Sequence, residues 1–364
     1  MPCMLLRAFL LTMCSLMYGC AGVFDYVEPG QESAVRVGRA PLVSDRFLLT
    51  SASQQVIGRL QAIETNYEDT FVDIARIYNL GFDELVQANP DVDPWLPGQG
   101  TRVILPTRFV LPDAPREGIV IDIASKRLFY YLPPDEAGAS AVVTYPIGIG
   151  RSGAATPVGQ TTVTSKGRDP VWFPPASIRR EYAAEGNPLP ARVMPGPDNP
   201  LGHFVMVLGM PSYLIHGTNR PAGVGMRVSH GCIRLFPENI ASLYEYAPVG
   251  VAVNIVNQPW RFAWDGNELL LEAHPALSDD ERSWPDSLPE IQASALGNSP
   301  QGTVIDSVRV ATITSQLRGV PLPVDAKAAA IEHTLQAALA VNNLVNMAPL
   351  NFEDADLVAQ KSAE

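Results

Sequence analysis

Residues 213–240 read YLIHGTNRPAGVGMRVSHGCIRLFPENI and contain a single cysteine, Cys232. Cys232 is the only cysteine after position 20, so the body of the chain cannot form an internal disulfide. His230 lies two residues upstream, and His216 comes earlier in the stretch, just before Gly217. A thiolate is the nucleophilic form of cysteine, and a neighbouring imidazole lowers the pKa of a thiol. The stretch therefore predicts a catalytic cysteine rather than a buried structural thiol.

The residues around this cysteine predict a nucleophile with a base. A strand that ends at His216, placed beside the loop that carries Cys232, would give the thiol an imidazole. Gly231 permits a tight loop, and we expect the backbone N–H groups at 231 and 232 to face a developing oxyanion. Ser229 and the backbone near Gly217 are candidates to orient one imidazole. The reaction class that this favours is acyl transfer through a thioester.

Arg234 is a candidate to bind substrate, and the lack of metal-binding motifs argues against a metal site. Arg234 carries a fixed charge and can bind a substrate carboxylate through two parallel hydrogen bonds. The sequence has no His-Glu-x-x-His or Cys-x-x-Cys pattern. His216, His230 and Cys232 alone would leave a zinc shell incomplete, so we expect no metal.

The composition of the chain excludes some functions and indicates a strand-rich fold. Its 364 residues suffice for two or three domains, and 46% hydrophobic residues support real cores. The formal net charge of −12 and the lack of a basic run argue against binding to nucleic acid. The 33 prolines favour turns and short strands over long helices.

Residues 1–21 predict a signal peptide. Arg7 supplies a positive charge, and the apolar stretch 8–18 is too short to span a bilayer. Two cleavage sites stay open: before Cys20, which would then carry a lipid, or after Ala21. Both place the mature protein outside the cytoplasm, so we expect a periplasmic protein. A lipid on Cys20 would attach it to the outer membrane and would be its only link to a membrane.

The next two segments are predicted to be a linker and a small folded unit. Residues 22–60 are of mixed polarity without a clear period, which is typical of a linker. Residues 61–107 predict an α+β unit with the order strand, helix, helix, strand. The Asp69-Thr70 pair can cap its first helix, and Asp83 can cap the second.

Residues 65–106 read TNYEDTFVDIARIYNLGFDELVQANPDVDPWLPGQGTRVILP. With its Asp-Thr helix start, its Ala-Asn-Pro and its Pro-Gly-Gln turn, this stretch resembles a LysM domain, the small module that binds glycans containing N-acetylglucosamine. The resemblance implies that the unit binds glycan strands, and no residue in it has a catalytic pattern.

Residues 117–256 predict a mainly β domain that contains every candidate catalytic group. The segment 169–200 holds eight prolines and little periodicity, so we expect a long loop such as a lid. Strands are predicted at 118–122, 127–132, 141–149, 161–164, 204–208, 213–216 and 251–256, and a helix at 237–246.

Residues 257–364 are predicted to be a partly helical C-terminal extension. A hairpin is expected at 260–271 around Asp265-Gly266, and a loose polar stretch at 276–303. An alanine-rich helix capped by Asp325 is predicted at 325–347.

The stretch 213–240 closely resembles the catalytic domain of L,D-transpeptidases, the YkuD-type domain. The family pattern is His-Gly, a spacer, and then Ser-His-Gly-Cys followed by an aliphatic residue and Arg or Asn. The segments GIGRSGAATPVG, DPVWFPPASIR and NPLGHFVMVLG match flanking parts of the family. The resemblance covers roughly residues 60–260 and implies a mixed β-sandwich. It makes Cys232 the nucleophile and His216 the proton donor and acceptor, with Ser229, His230 and Gly231 shaping the site.

The resemblance also implies peptidoglycan as the substrate and no cofactor. Such enzymes attack the bond between a diamino acid and D-Ala in a tetrapeptide stem, release D-Ala and retain an acyl-enzyme. The acceptor amine can belong to another stem peptide or to a lysine of an outer-membrane lipoprotein. Two alternatives stay open: a Cys/His L,D-carboxypeptidase or hydrolase, in which water resolves the thioester, and a wall-binding scaffold.

Overall fold

The computed structural model describes residues 45–297 and 303–345, which belong to one compact unit. The predicted signal peptide with Cys20, the start of the predicted linker and the acidic C-terminal tail lie outside these residues. No helix in the described part of the chain is long and apolar enough to cross a membrane.

Nineteen strands and seven α-helices form within the described residues, in agreement with the mainly β class predicted from the sequence. The strands are β1 (Arg46–Leu49), β2 (Val56–Gly58), β3 (Gln61–Glu64), β4 (Arg102–Leu105), β5 (Arg108–Val110), β6 (Gly118–Asp122), β7 (Arg127–Leu132), β8 (Ser140–Pro146), β9 (Ile149–Gly150), β10 (Gly159–Arg168), β11 (Phe204–Leu208), β12 (Leu214–His216), β13 (Arg227–Ser229), β14 (Ile233–Arg234), β15 (Ala252–Val256), β16 (Trp260–Asp265), β17 (Glu268–Ala273), β18 (Leu322–Pro323) and β19 (Leu339–Ala340). The helices are α1 (Phe71–Ile77), α2 (Phe82–Ala88), α3 (Ala176–Ala184), α4 (Pro237–Tyr246), α5 (Trp284–Leu296), α6 (Ser307–Gln316) and α7 (Ile331–Gln336).

A nine-stranded mixed sheet carries the candidate site at one end, with the order β1-β8-β7-β6-β15-β10-β11-β12-β14. Strands β6, β7 and β11 and helix α4 have the predicted bounds. Strand β10 is longer than predicted, because an irregularity between Val163 and Ser165 lets it pair first with β15 and then with β11. Helix α4 packs on the sheet through Ile240 and Leu243, which are fully buried.

Two strands lie in the segment predicted to be a linker. Strand β1 pairs with β8 at the edge of the nine-stranded sheet, and β2 pairs with β5. Short strands of this kind have too few alternating residues to show a period in the sequence. The described part of this segment is therefore built into the fold.

Residues 61–107 have the predicted order of strand, helix, helix and strand, and we call them the βααβ unit. Strands β3 and β4 pair antiparallel, and the helices bury Phe71, Ile74 and Leu85 against them. Thr70 caps α1 as predicted, since its hydroxyl accepts a hydrogen bond from the Asp73 backbone N–H.

The start of α2 differs from the prediction. Gly81, rather than Asp83, precedes the first turn, and the Glu84 carboxylate accepts a hydrogen bond from the Gly81 N–H at 2.5 Å. The same carboxylate binds Arg127 of β7, with Nε to Oε1 at 2.7 Å and Nη2 to Oε2 at 2.8 Å. This ion pair is almost completely buried, so the βααβ unit is fixed to the central sheet.

The C-terminal extension begins with the predicted hairpin, in which Asp265 pairs with Glu268 across the turn. Its Arg261 is buried between Asp122 of β6 and Glu272 of β17. Burial alone would raise the pKa of Glu272, but Arg261 and His274 hold it down at about 2. The ion pair between Arg261 and Asp122 therefore joins the hairpin to the nine-stranded sheet.

Helices α5 and α7 of the extension differ from the predictions, and α6 lies where the sequence predicted no element. Helix α5 lies in the stretch predicted to be loose, and α6 is capped by Asp306, whose side chain accepts from the N–H groups of Val308 and Arg309. The predicted helix 325–347 is wrong: α7 covers only Ile331–Gln336, and the chain then forms β19. Strand β19 pairs in parallel with β3, because that sheet edge offers backbone hydrogen bonds that a longer helix would leave unused.

Candidate active site

Strands β12 and β14 bring the predicted site residues together. They pair in parallel, with Ile215 opposite Ile233 and His216 opposite Arg234. Side chains alternate along a strand, and both isoleucines are fully buried in the core. His216 and Arg234 therefore share the other face, and Cys232, two residues before Arg234, precedes it on the same side.

The loop that ends at Cys232 is held by Ser229. Its Oγ accepts a hydrogen bond from the Gly231 N–H at 3.1 Å and donates one to the Cys232 carbonyl at 2.6 Å. The sequence led us to expect Ser229 to orient an imidazole and the Gly231 N–H to face an oxyanion. Both expectations are wrong, because these two groups bind each other inside the loop.

Gly231 adopts a backbone conformation that favours glycine. Its φ is 106°, and a Cβ at this position would lie 2.8 Å from the ring of Tyr213. Its carbonyl accepts a hydrogen bond from Thr156 Oγ1 at 2.8 Å, and Thr156 Oγ1 in turn accepts one from the Gly150 N–H at 3.0 Å. Our sequence reasoning missed Thr156, although it lies within GIGRSGAATPVG, a segment noted for its resemblance.

His216 is buried and neutral. Its Nδ1 lies 2.6 Å from the Gly217 carbonyl oxygen, which can only accept, so Nδ1 carries the proton and Nε2 is left as an acceptor. Burial, reinforced by the charge of Arg234, lowers the pKa of His216 to about 3. The imidazole is thus unprotonated at neutral pH, with a lone pair on Nε2, and Gly217 fixes its tautomer.

The Cys232 thiol is half-buried and donates a long hydrogen bond to the Ser212 carbonyl, with Sγ to O at 3.7 Å. Burial raises the pKa of this thiol, while the Leu214 backbone and Arg234 oppose that effect. Our expectation of a thiolate stabilised by histidine is therefore not met in this structure. The resting pair is a thiol and a neutral imidazole, and among the described residues no hydrogen bond joins them.

Arg234 provides the positive charge of the site. Burial lowers its pKa, and the charges of Cys232 and of Tyr182 on α3 act in the opposite direction. Its Nε is buried and has no hydrogen-bond partner within the described residues. A half-buried guanidinium with an unused donor is suited to bind an anionic group of a substrate.

Helix α3 lies within the segment predicted to be a long loop, and it contacts the site. Its Glu181 bridges Arg151, with O to Nη2 at 2.6 Å, and His230, with O to Nε2 at 3.1 Å. The His230 ring is thus bound to α3, while His216 lies on the strand next to Arg234. No group of His, Cys, Asp and Glu residues in the described ranges could hold a metal ion.

Comparison with known proteins identifies the family. A model of the YkuD family, the L,D-transpeptidase catalytic domain, matches residues 116–255. The chain is 40% identical over 291 residues to the probable L,D-transpeptidase YcfS of Escherichia coli K12, which covers 78% of this chain and 89% of that protein. The chain belongs to the L,D-transpeptidase family. The activity predicted from the sequence is thereby confirmed, and with it the peptidoglycan stem peptide as the family's substrate.

A second relative supports this relationship. The probable L,D-transpeptidase YbiS of Escherichia coli K12 is 44% identical over 247 residues, which cover 66% of this chain and 76% of that protein. Among solved structures, an L,D-transpeptidase from Mycobacterium tuberculosis H37Rv aligns with a TM-score of 0.27 and 21% identity. That alignment covers 43% of this chain and 63% of the mycobacterial protein.

Proposed function

We propose that Cys232 is the nucleophile of this L,D-transpeptidase and that His216 transfers its proton. The observation that carries the proposal is the parallel register of β12 and β14, which sets His216 beside Arg234 with Cys232 just before it. His216 is neutral and its Nδ1 is occupied, so Nε2 is the atom that accepts the thiol proton. Because the thiol pKa is raised, this transfer accompanies the attack instead of preceding it.

The reaction has two steps. Cys232 Sγ attacks the carbonyl carbon between the diamino acid and D-Ala while the imidazole takes the thiol proton. The C–N bond then breaks, the imidazolium returns the proton to the departing amine, and a thioester remains. An acceptor amine attacks that thioester, loses a proton to His216 and displaces the sulfur, which regains its proton. Since the Gly231 N–H is used by Ser229, the Cys232 N–H is the remaining candidate of the expected pair for the oxyanion.

Substrate contacts are assigned to Arg234 and to the surface around α3. Arg234 would bind a carboxylate of the stem peptide, since its side chain is only half-buried and lies on the same face as His216. His230 supports the site indirectly, because its bond to Glu181 fixes α3 next to the loop that carries Cys232. The acceptor is an amine of a second stem peptide or a lysine of an outer-membrane lipoprotein, and the periplasm is the compartment where both meet the enzyme.

We assign glycan binding to the βααβ unit, in keeping with its resemblance to LysM domains. Tyr67, Trp95 and Leu96 are exposed by 76%, 58% and 73%, on the two loops that flank its helices. A hydrogen bond from the Phe71 N–H to the Pro94 carbonyl joins these loops. Exposed apolar side chains on adjoining loops are typical of a binding surface, and aromatic faces suit stacking on sugar rings.

The test is incubation of the purified protein with tetrapeptide-bearing muropeptides, followed by mass spectrometry. We expect cross-linked dimers and free D-Ala from the wild type and neither from Cys232→Ala. His216→Ala should lose most of the activity, whereas His203→Ala is the matched control, since His203 pairs with Asp169 in an exposed position. Tripeptides without dimers would show a carboxypeptidase, and unchanged muropeptides would show a scaffold. Dimers formed by Cys232→Ala would refute the assignment of the nucleophile.

A further inference from the structure

The βααβ unit contacts the loop that leads to the nucleophile, and it does so backbone to backbone. Gly81, which precedes α2, faces Gly225, which lies between a short 3-10 helix (Pro221–Gly223) and β13. A Cβ on Gly81 would lie only 2.8 Å from Gly225 Cα, and a Cβ on Gly225 would come closer still to Gly81. The Phe82 N–H also donates to the Val224 carbonyl at 3.3 Å. Neither glycine has room for a side chain.

The loop on the far side of this contact runs directly to Cys232. The Met226 carbonyl accepts a hydrogen bond from the Ile149 N–H at 3.0 Å, and β13 then pairs in parallel with β9. Ser229 at the end of β13 binds both the Gly231 N–H and the Cys232 carbonyl. Each link is a backbone or short side-chain hydrogen bond, so a shift at residue 225 is passed on towards the sulfur.

Hydrogen bonds and an ion pair also hold Gly81, on the βααβ side of the contact. The Gly81 N–H is bound by Glu84, and Glu84 is paired with buried Arg127 in the central sheet. Asn79, two residues before Gly81, accepts a hydrogen bond from Asn239 Nδ2 of α4 at 2.8 Å. Gly81 is therefore a fixed point against which the loop rests.

We propose that Gly81 and Gly225 are positioning residues through which the βααβ unit sets the place of the loop that carries Cys232. The unit then contributes to the chemical step as well as to glycan binding. This inference rests on the proposed role of Cys232, and it concerns a contact that lies outside the reacting groups. Because neither glycine carries a side chain, the two backbones can stay in contact.

Gly81→Ala is the sharpest test. Gly81 has φ −85° and ψ 152°, which any residue can adopt, so the methyl group adds no backbone strain and acts by pressing on Gly225. For Gly225→Ala, with φ 86°, the matched control is Gly138→Ala, with φ 79° and nothing within 4 Å of its Cβ. The control has the same kind of strain without the contact.

A second pair of variants isolates the hydrogen bond. Phe82 is the first residue of α2, where proline is tolerated because its N–H is not needed by the helix. Phe82→Pro removes the donor to Val224 together with the ring, and Phe82→Ala removes only the ring. The difference between the two reports the loss of the bond together with the pressure of the proline Cδ on the Val224 carbonyl, and both disturb the same contact.

The measurement is the acylation of Cys232 by a soluble carbapenem, which resembles the acyl donor of this family and needs no glycan. Intact mass spectrometry over time gives the saturating rate and the half-saturating concentration, and thermal unfolding reports folding. We expect Gly81→Ala to lower the saturating rate by about tenfold to a hundredfold, because a misplacement of about 1 Å can cost about a hundredfold. The half-saturating concentration should change little, and Phe82→Pro should lose more rate than Phe82→Ala.

Two results would overturn the inference. One is a wild-type saturating rate in folded Gly81→Ala and an equal rate in the two Phe82 variants. The other is a loss in Gly225→Ala no larger than that in Gly138→Ala. If Gly81→Ala does not fold, the two Phe82 variants decide. A wild-type protein that is not acylated at Cys232 would instead refute the proposed function, so the two failures are distinguishable.

Discussion

Arg127→Met tests whether the βααβ unit is a structural part of the catalytic fold. The Arg127 side chain is 1% exposed and binds Glu84 through two nitrogens. It also donates to the Asn79 carbonyl at 3.0 Å and to Thr144 Oγ1 at 3.3 Å, and it lies 4.1 Å from the centre of the Phe109 ring. Methionine preserves most of the length and removes the charge and every one of these hydrogen bonds.

The expected loss follows from what the substitution leaves behind. Glu84 is 6% exposed and, among the residues that the structure describes, would retain only the Gly81 N–H as a hydrogen-bond partner. Removing one member of a buried ion pair costs about 3–5 kcal/mol, a large share of the about 5–15 kcal/mol that stabilises a typical domain. Arg168→Met is the control, since Arg168 and Glu245 are 53% and 64% exposed and such a pair contributes about 0–1 kcal/mol.

Urea unfolding followed by tryptophan fluorescence measures both variants against the wild type. Together with Glu84→Gln and the double variant, Arg127→Met completes a double-mutant cycle, which gives the interaction free energy of the Arg127–Glu84 pair. A loss in Arg127→Met within about 1 kcal/mol of the Arg168→Met control would refute the reasoning. It would mean that the βααβ unit and the sheet are stable independently. The structure predicts the opposite, so a chain that lacks residues 22–110 should lose stability and not merely the proposed glycan binding.

Four further predictions concern the site itself. His216→Ala should lower the rate of D-Ala release by about two to four orders of magnitude, and His230→Ala by less; a larger loss in His230→Ala would show that the base is misassigned. Gly231→Ala should destabilise the protein by about 1–3 kcal/mol and slow acylation, since the methyl group meets Tyr213 in a strained backbone; wild-type urea unfolding and acylation would contradict this. Alkylation of Cys232 by iodoacetamide should rise with pH into the alkaline range, because burial raises the thiol pKa, and should show no inflection near 6.5, because the pKa of His216 is about 3. The pKa of His216 is about 3 in the folded protein and 6.5 in the unfolded chain, so the unfolded chain takes up this proton at a higher pH. The free energy of unfolding should therefore fall as the pH drops below 6.5, and it should fall less in His216→Asn.

Part of the central sheet was predictable because several of its strands are continuous runs of mostly apolar residues. Strands β6, β7 and β11 bury nearly every residue, and such runs need no knowledge of the rest of the fold. Helix α1 was predictable from its capping residue, Thr70. The strands β1, β2 and β19 were not, since each has two to four residues and depends on a partner far away in the sequence.

The sequence predicted which residues form the site better than it predicted the hydrogen bonds that these residues make. The motif named Cys232, His216 and Arg234, and the structure places them on one face. It did not predict that Ser229 binds its own loop, because a hydroxyl has many possible partners and the backbone geometry decides among them. The protonation states of Cys232 and His216 could not be predicted either, since they depend on burial, which only the folded chain defines.

The pairing of β19 with β3 has a consequence for how the chain folds. Asn343 Nδ2 donates to the Glu64 carbonyl across a separation of 279 residues, and β19 supplies the third strand of a sheet that otherwise has two. Contacts so distant in sequence close a very long loop and form slowly. We expect the edge of β3 to stay open while most of the chain is already structured. During that interval the open edge is the place where a second copy of the chain could pair by mistake, and the arrival of residues 339–340 ends that exposure.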